Sequence, residues 1–162
     1  MGTASDLVGL LAERGLTLAV AESLTGGLVA AEIVSVPGAS AVLVGAVVAY
    51  DTAIKRTVLG VDAELLASRG AVDAEVARQM ADRVRTVLAV DGRRADVGLA
   101  TTGVAGPDSQ DGHPPGTVFL GIAVGDRVES YPLLFDGDRR TIREATTSES
   151  LLRLHSVLTT GW

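Results

Sequence analysis

Apolar residues along this chain recur at two periods. Leu7, Leu10 and Leu11 lie at helical spacing behind Thr3 and Ser5, and Gly15 stands where a helix end belongs, which predicts a first helix. The run Leu16 to Val20 predicts a short buried strand. A polar turn, Glu22-Ser23-Leu24-Thr25-Gly26-Gly27, leads from it into Leu28, Val29 and Ile33 at helical spacing. Strand, tight turn and helix open an α/β unit. Val36-Pro37-Gly38 stops that helix, and valine-rich Ala41 to Tyr50 predicts a second buried strand. Asp51 to Leu59 reads as a short helix ending near Gly60, and Asp62 caps another that ends by Gly70. Asp73 opens a longer helix, on which Val76, Met80, Val84 and Leu88 share one face.

Val97 to Thr101 predicts a third strand, followed by a glycine-rich turn from Thr102 to Asp108 and a polar, proline-bearing surface loop from Ser109 to Pro115. Thr117 to Val124 and Val128 to Phe135, joined by Gly125-Asp126-Arg127, predict an antiparallel hairpin. Asp138 caps a last helix with Ile142, Ala145, Leu151, Leu154 and Leu158 on its apolar face. The succession predicts an α/β fold, a mixed sheet layered with helices, in a single domain over residues 1–162. No repeat, linker or low-complexity tract interrupts it.

Composition narrows the function classes. The 162 residues are 47% hydrophobic, 21% charged and 3% aromatic, a globular profile. Twenty acidic against 14 basic residues leave a formal net charge of −6, which disfavours a phosphate backbone as partner; no nucleic acid is expected. The apolar run Ala41 to Tyr50 falls well short of the about 20 residues of a membrane span. Asp6 and Glu13 interrupt the N-terminal apolar stretch, unlike a signal peptide. The expectation is a cytoplasmic protein with no membrane partner. Without cysteine there is no thiolate chemistry and no Cys-based metal site, and His113 and His155 lie far apart, so no metal is expected.

Lys55 is the only lysine, every other basic residue being arginine apart from the two histidines. Arginine does not give up its proton in a protein, whereas a buried lysine does. Two polar turns, around Ser23 and around Thr102, follow parallel strands, where open α/β sheets bind ligands. Ser23 at a strand-to-helix turn is a candidate nucleophile, its plainer role being a helix N-cap. Tyr50 ends the second strand and Lys55 follows five residues on, so both belong to the sheet edge that carries Ser23. To act as a base near neutral pH the amine has to fall from about 10.4 to near 7, a cost on the order of 4 kcal/mol, supplied by burial with Arg56 adjacent. Tyr50 is placed to relay a proton or orient the amine. Ser40 is the rival nucleophile, but it precedes the second strand and should lie roughly 30 Å from Tyr50 unless the strand bends or a neighbouring subunit intervenes. Arg139, Arg140 and Arg143 open the last helix against its dipole, fit either to bind a phosphate or carboxylate or to pair with Asp136 and Asp138.

The ordered set Glu22-Ser23-Leu24-Thr25-Gly26-Gly27, Tyr50 and Lys55 with Leu59-Gly60-Val61, Gly70-Ala71-Val72, Thr102-Gly103-Val104-Ala105-Gly106-Pro107-Asp108, Pro115-Gly116-Thr117-Val118 and Gly137-Asp138-Arg139 resembles the CinA C-terminal domain family, the nicotinamide-nucleotide amidohydrolases. Nearly the whole chain takes part. The pyrophosphatase-type domain that precedes it in full-length CinA proteins is missing, so the likeness is to the stand-alone form. The resemblance implies a three-layer α/β/α sandwich with a mixed, mainly parallel sheet. It also implies hydrolysis of the carboxamide of nicotinamide mononucleotide (NMN) to nicotinate mononucleotide and ammonia in pyridine-nucleotide recycling, by a Ser/Lys dyad without metal or cofactor. Carried onto this chain, Ser23 is the nucleophile, Lys55 the base and Tyr50 the assistant. Thr25, Gly26, Gly27, Thr102, Gly103, Gly106 and Arg139 line the substrate site, with Arg139 on the phosphate and glycine-turn N–H groups on the oxyanion. Leu24 replaces a common cysteine, Asp51-Thr52-Ala53 a common Ser-Asn-Glu, and the loop Ser109 to Pro115 differs from the common glycine-rich form. None of these departures removes a proposed catalytic group.

Two readings from other classes stand beside the enzyme. One is a non-catalytic nucleotide-binding or regulatory module linked to competence and DNA damage. The other is an interaction or structural subunit whose glycine turns only cap helices. For the enzyme, the expected partners are the small-molecule substrate and a second copy of the chain in a homo-oligomer.

Overall fold

The computed structural model describes residues 2–162. In chain order it has α1 (Thr3–Arg14), β1 (Leu18–Glu22), α2 (Leu28–Val34), a 3-10 turn at Ala39–Ala41, β2 (Leu43–Val48), α3 (Thr52–Thr57) and α4 (Ala63–Arg69). Then come α5 (Ala74–Val87), β3 (Val97–Gly103), β4 (Thr117–Val124), β5 (Arg127–Leu134) and α6 (Arg139–Thr160). Aspartates start α3, α4, α5 and α6: Asp51, Asp62, Asp73 and Asp138 each accept a backbone N–H of the first turn, the substitution for missing intrahelical partners that favours Asp there.

The five strands form one sheet in the order β2-β1-β3-β4-β5, with β2, β1 and β3 parallel and β4 antiparallel to both neighbours. Alternation along the strands separates two cores. Leu18 and Val20, with Val97, Leu99 and Ile122, face α1, α2 and α6. Ala19 and Ala21, with Ala100 and Ala123, face α5 and the 59–71 segment. Small residues line this second face because α5 lies close: a β-carbon on Gly121 would overlap the Ala77 carbonyl. Helices on both faces of a mixed sheet make the expected three-layer α/β/α architecture.

Three expectations shift. β1 runs on to Glu22 and β3 to Gly103, so both deliver polar residues at the strand tip. The second strand is shorter than Ala41 to Tyr50, and it is not buried. It is an edge strand, half-buried with Ala46 and Val48 exposed, because one side of the ladder has no neighbour. No helix among the described residues is long and apolar enough to cross a membrane.

Candidate active site

The carboxyl ends of β1, β2 and β3 lie side by side, and the candidate residues gather there. Glu22, the last residue of β1, is fully buried. Continuing the face of Leu18 and Val20, it reaches the start of α2, where its carboxylate accepts the N–H groups of Gly27 (2.9 Å), Val29 (3.2 Å) and Ala30 (2.8 Å). A carboxylate at a helix N-terminus satisfies orphan donors and complements the positive end of the dipole. The turn 23–27 is thereby closed, with Gly26 at φ 60° and Gly27 at φ 105°.

Ser23 belongs to the opposite face. It does not cap α2, whose N-cap is Gly27; instead its Oγ lies 2.9 Å from Lys55 Nζ. Lys55, on α3, is 1% exposed. Its Nζ also donates to the carbonyls of Ala49 (2.7 Å) and Tyr50 (3.2 Å). Carbonyl oxygens only accept, so in the free amine both N–H bonds go to them and the lone pair is left facing the serine hydroxyl. Burial lowers the Lys55 pKa to about 8, against the opposing pull of the Asp51 and Asp111 carboxylates. Arg56 is exposed, and burial alone accounts for the lowering.

The dyad opens into a cavity of about 450 Å³, within the range of small-molecule sites. Ser23, Tyr50, Lys55, Thr102, Gly103, Gly106 and Arg139 all line it. Tyr50 is 60% exposed, and its hydroxyl accepts from the Arg139 guanidinium (2.8 Å) rather than reaching the dyad. Arg139 also donates to Gly106 O (2.7 Å), spanning the cavity mouth. Thr102 Oγ1 donates to Ala71 O at 2.6 Å. Another depression, about 510 Å³ between α1, α2 and α6, is lined by neither lysine nor histidine.

Thr25, Gly26 and Gly27 lie outside the cavity lining. Thr25 is fully buried, its hydroxyl 2.9 Å from that of Thr101. The Gly26 N–H is engaged by Ser23 O and that of Gly27 by Glu22, so neither is free to meet an oxyanion. The Leu24 N–H, directly after the serine, has no partner among the described residues, and Leu24 lines the cavity. Ser40 sits on the 3-10 turn before β2, at the other end of the sheet beside Gly15, Thr17 and Asp96. No side-chain ion pair joins Arg140 or Arg143 to Asp136 or Asp138 among the described residues; Arg140 meets Asp138 only through its charge and its backbone N–H. Arg140 bonds Glu144, and Arg143 donates to the carbonyls of Leu24 and Thr25, fastening the 23–27 turn to α6. The structural parts of Glu22 and Arg143 were not anticipated; a lone acid between an apolar strand and a glycine pair is the one cue to Glu22.

A model of the CinA C-terminal domain family matches residues 2–158. A putative competence-damage inducible protein of Geobacillus kaustophilus is 47% identical over 137 residues, covering 84% of this chain and 32% of that protein. A CinA-like protein of Frankia casuarinae is 48% identical over 137 residues, covering 85% of this chain and 30% of that protein. The chain thus spans about a third of the length of these curated relatives. Among solved structures, a CinA-superfamily protein of Klebsiella pneumoniae superposes with TM-score 0.91 at 30% identity, over 99% of this chain and 97% of that one. The competence/damage inducible protein CihA of Agrobacterium tumefaciens does so with 0.84 at 32%, over 97% and 96%.

Proposed function

The chain belongs to the CinA C-terminal domain family, and on that premise we propose that it is a Ser/Lys amidohydrolase that removes ammonia from the carboxamide of NMN. The observation that carries the reading is the 2.9 Å approach of a buried amine to Ser23 Oγ, with two carbonyls placed to hold both hydrogens of the free amine.

The free amine of Lys55 takes the Ser23 proton as Oγ bonds to the carboxamide carbon. The negative charge that develops on the amide oxygen is met by the unpartnered Leu24 N–H. As the C–N bond breaks, the Lys55 ammonium returns its proton to the departing nitrogen, and ammonia leaves a serine ester. Water then attacks the ester, giving its proton to Lys55, and the protonated amine restores the serine as the acid departs. Arg139 at the mouth is the cation that receives the nucleotide phosphate, exchanging its bonds to Tyr50 and Gly106 for it.

Ammonia release from NMN by the purified chain, with EDTA present, tests this. The wild type is expected to turn over, Ser23→Ala to lose all but a trace of the activity, and Ser40→Ala to keep it. Thermal stabilisation by NMN without ammonia release would replace the enzyme with a binding module, and full activity in Ser23→Ala would remove the mechanism.

A further inference from the structure

The loop from residue 104 to 116, between β3 and β4, supplies the cavity wall from Val104 to Gln110. Its stem is fixed by backbone hydrogen bonds of Val104 to Thr117 and of Gly116 to Val104. Its tip has little to hold it by burial, since residues 108–112 are exposed and are polar or glycine. Gln110 and His113 bond each other, which stiffens the tip without attaching it to the body. The His113 ring packs edge-on to Phe119 at 5.9 Å, on the returning limb.

One side chain crosses from the tip to the turn between α4 and α5. Asp111 Oδ2 accepts the N–H of Ala71 at 2.9 Å and that of Val72 at 3.4 Å. Asp111 stands at φ 50°, in the left-handed region that aspartate tolerates better than most residues. It packs over Gly70, at φ 79°, where a β-carbon would overlap the carboxylate. Ala71 and Val72 themselves line the cavity, and Ala71 O accepts from Thr102. Loop tip, α4–α5 turn and the end of β3 are therefore one hydrogen-bonded chain along the wall.

We propose that Asp111 is a positioning residue of this site: its carboxylate latches the 104–116 loop onto the Gly70–Val72 turn and so presets the cavity into which the amide substrate fits. The inference rests on the proposed amide hydrolysis. An ionised acceptor on two N–H groups is a stronger tie than a neutral one. A wall ordered in advance spares the substrate the cost of ordering it, so the latch acts on binding. The dyad stands on β1 and α3, outside the loop, and feels Asp111 only through the pull of its charge on Lys55, so losing that charge lowers the amine's pKa while the dyad's geometry is left alone.

The test combines steady-state hydrolysis of NMN with hydrogen exchange, on the full chain and on Asp111→Ala, Asp111→Asn and Gly70→Ala. At pH 9, where the Lys55 amine is mostly free with or without the Asp111 charge, Asp111→Ala and Gly70→Ala are expected to raise KM on the order of tenfold with kcat within about threefold, the signature of lost uniform binding. Asp111→Asn, whose amide oxygen still accepts both N–H groups, restores most of the KM. In Asp111→Ala and Gly70→Ala the amides of Ala71 and Val72 and of the loop tip exchange faster. An unchanged KM in Asp111→Ala, or a fall in kcat alone, overturns the latch. If the wild type releases no ammonia, the hydrolase reading fails by itself. Exchange then decides the latch, faster exchange at Ala71 and Val72 keeping it and unchanged exchange removing it.

Discussion

Lys55 ties activity to pH in a direction that the geometry specifies. On the proposed mechanism the amine accepts a proton from Ser23 only when it is free, and burial brings its pKa down to about 8. Roughly a tenth of molecules carry the free amine at pH 7 and roughly nine tenths at pH 9. The value of kcat/KM is therefore expected to rise with pH, by about ninety-fold between pH 6 and pH 9, and then to level off. Ammonia release at low substrate across that range reads it directly. Asp51→Asn removes a carboxylate that favours the charged amine, and moves the midpoint lower. Lys55→Arg, with a side chain that stays charged throughout, loses at least about a hundredfold at every pH. Stability carries the same signature. In the unfolded chain the lysine titrates near 10.5, so between about 8 and 10.5 the unfolded state binds more protons and folding stability climbs with pH. The whole rise is worth on the order of 3 kcal/mol and is missing from Lys55→Met in parallel urea titrations. A rate profile that is flat or falling from pH 7 to 9 would refute the free-amine base, as would a Lys55→Arg variant that works.

Two further perturbations probe the frame that holds the dyad. Glu22→Gln keeps the shape but loses the charge on three backbone donors, and is expected to cost roughly 2 kcal/mol in urea unfolding, with activity falling as the 23–27 turn loosens. Gly121→Ala drives a β-carbon into the Ala77 carbonyl and is expected to cost about 2–3 kcal/mol, measured the same way; a neutral result would mean that α5 does not lie on the sheet as described.

Helix starts were the most legible part of the chain, because a capping aspartate leaves a local signal: Asp51, Asp62, Asp73 and Asp138 each begin a helix. The nearness of Ser23 and Lys55 followed from strand order, since both leave the same edge of a parallel sheet. Edge position was not legible. Val-rich β2 reads like a central strand, and only the absence of a pairing partner on one side separates the two. Nor did the glycines disclose which N–H groups stay free, because Glu22 and Ser23 engage those of Gly27 and Gly26 through contacts that depend on the closed turn. Asp111 looked like one more solvated loop acid; its partners are 40 and 39 positions away, beyond any local pattern.

Glu22 and Ser23 are neighbours in sequence, yet one braces the helix layer above the sheet and the other meets the Lys55 amine below it. Which side each takes is a matter of parity. Removing one residue inside β1 would not slide the two groups along; it would swap them, pointing an acid at the amine and a hydroxyl at the helix. Removing two would shorten the strand and keep each on its own side. This stretch is accordingly more tolerant of altered letters than of an altered count, and an insertion–deletion scan through it should show survival alternating between odd and even steps.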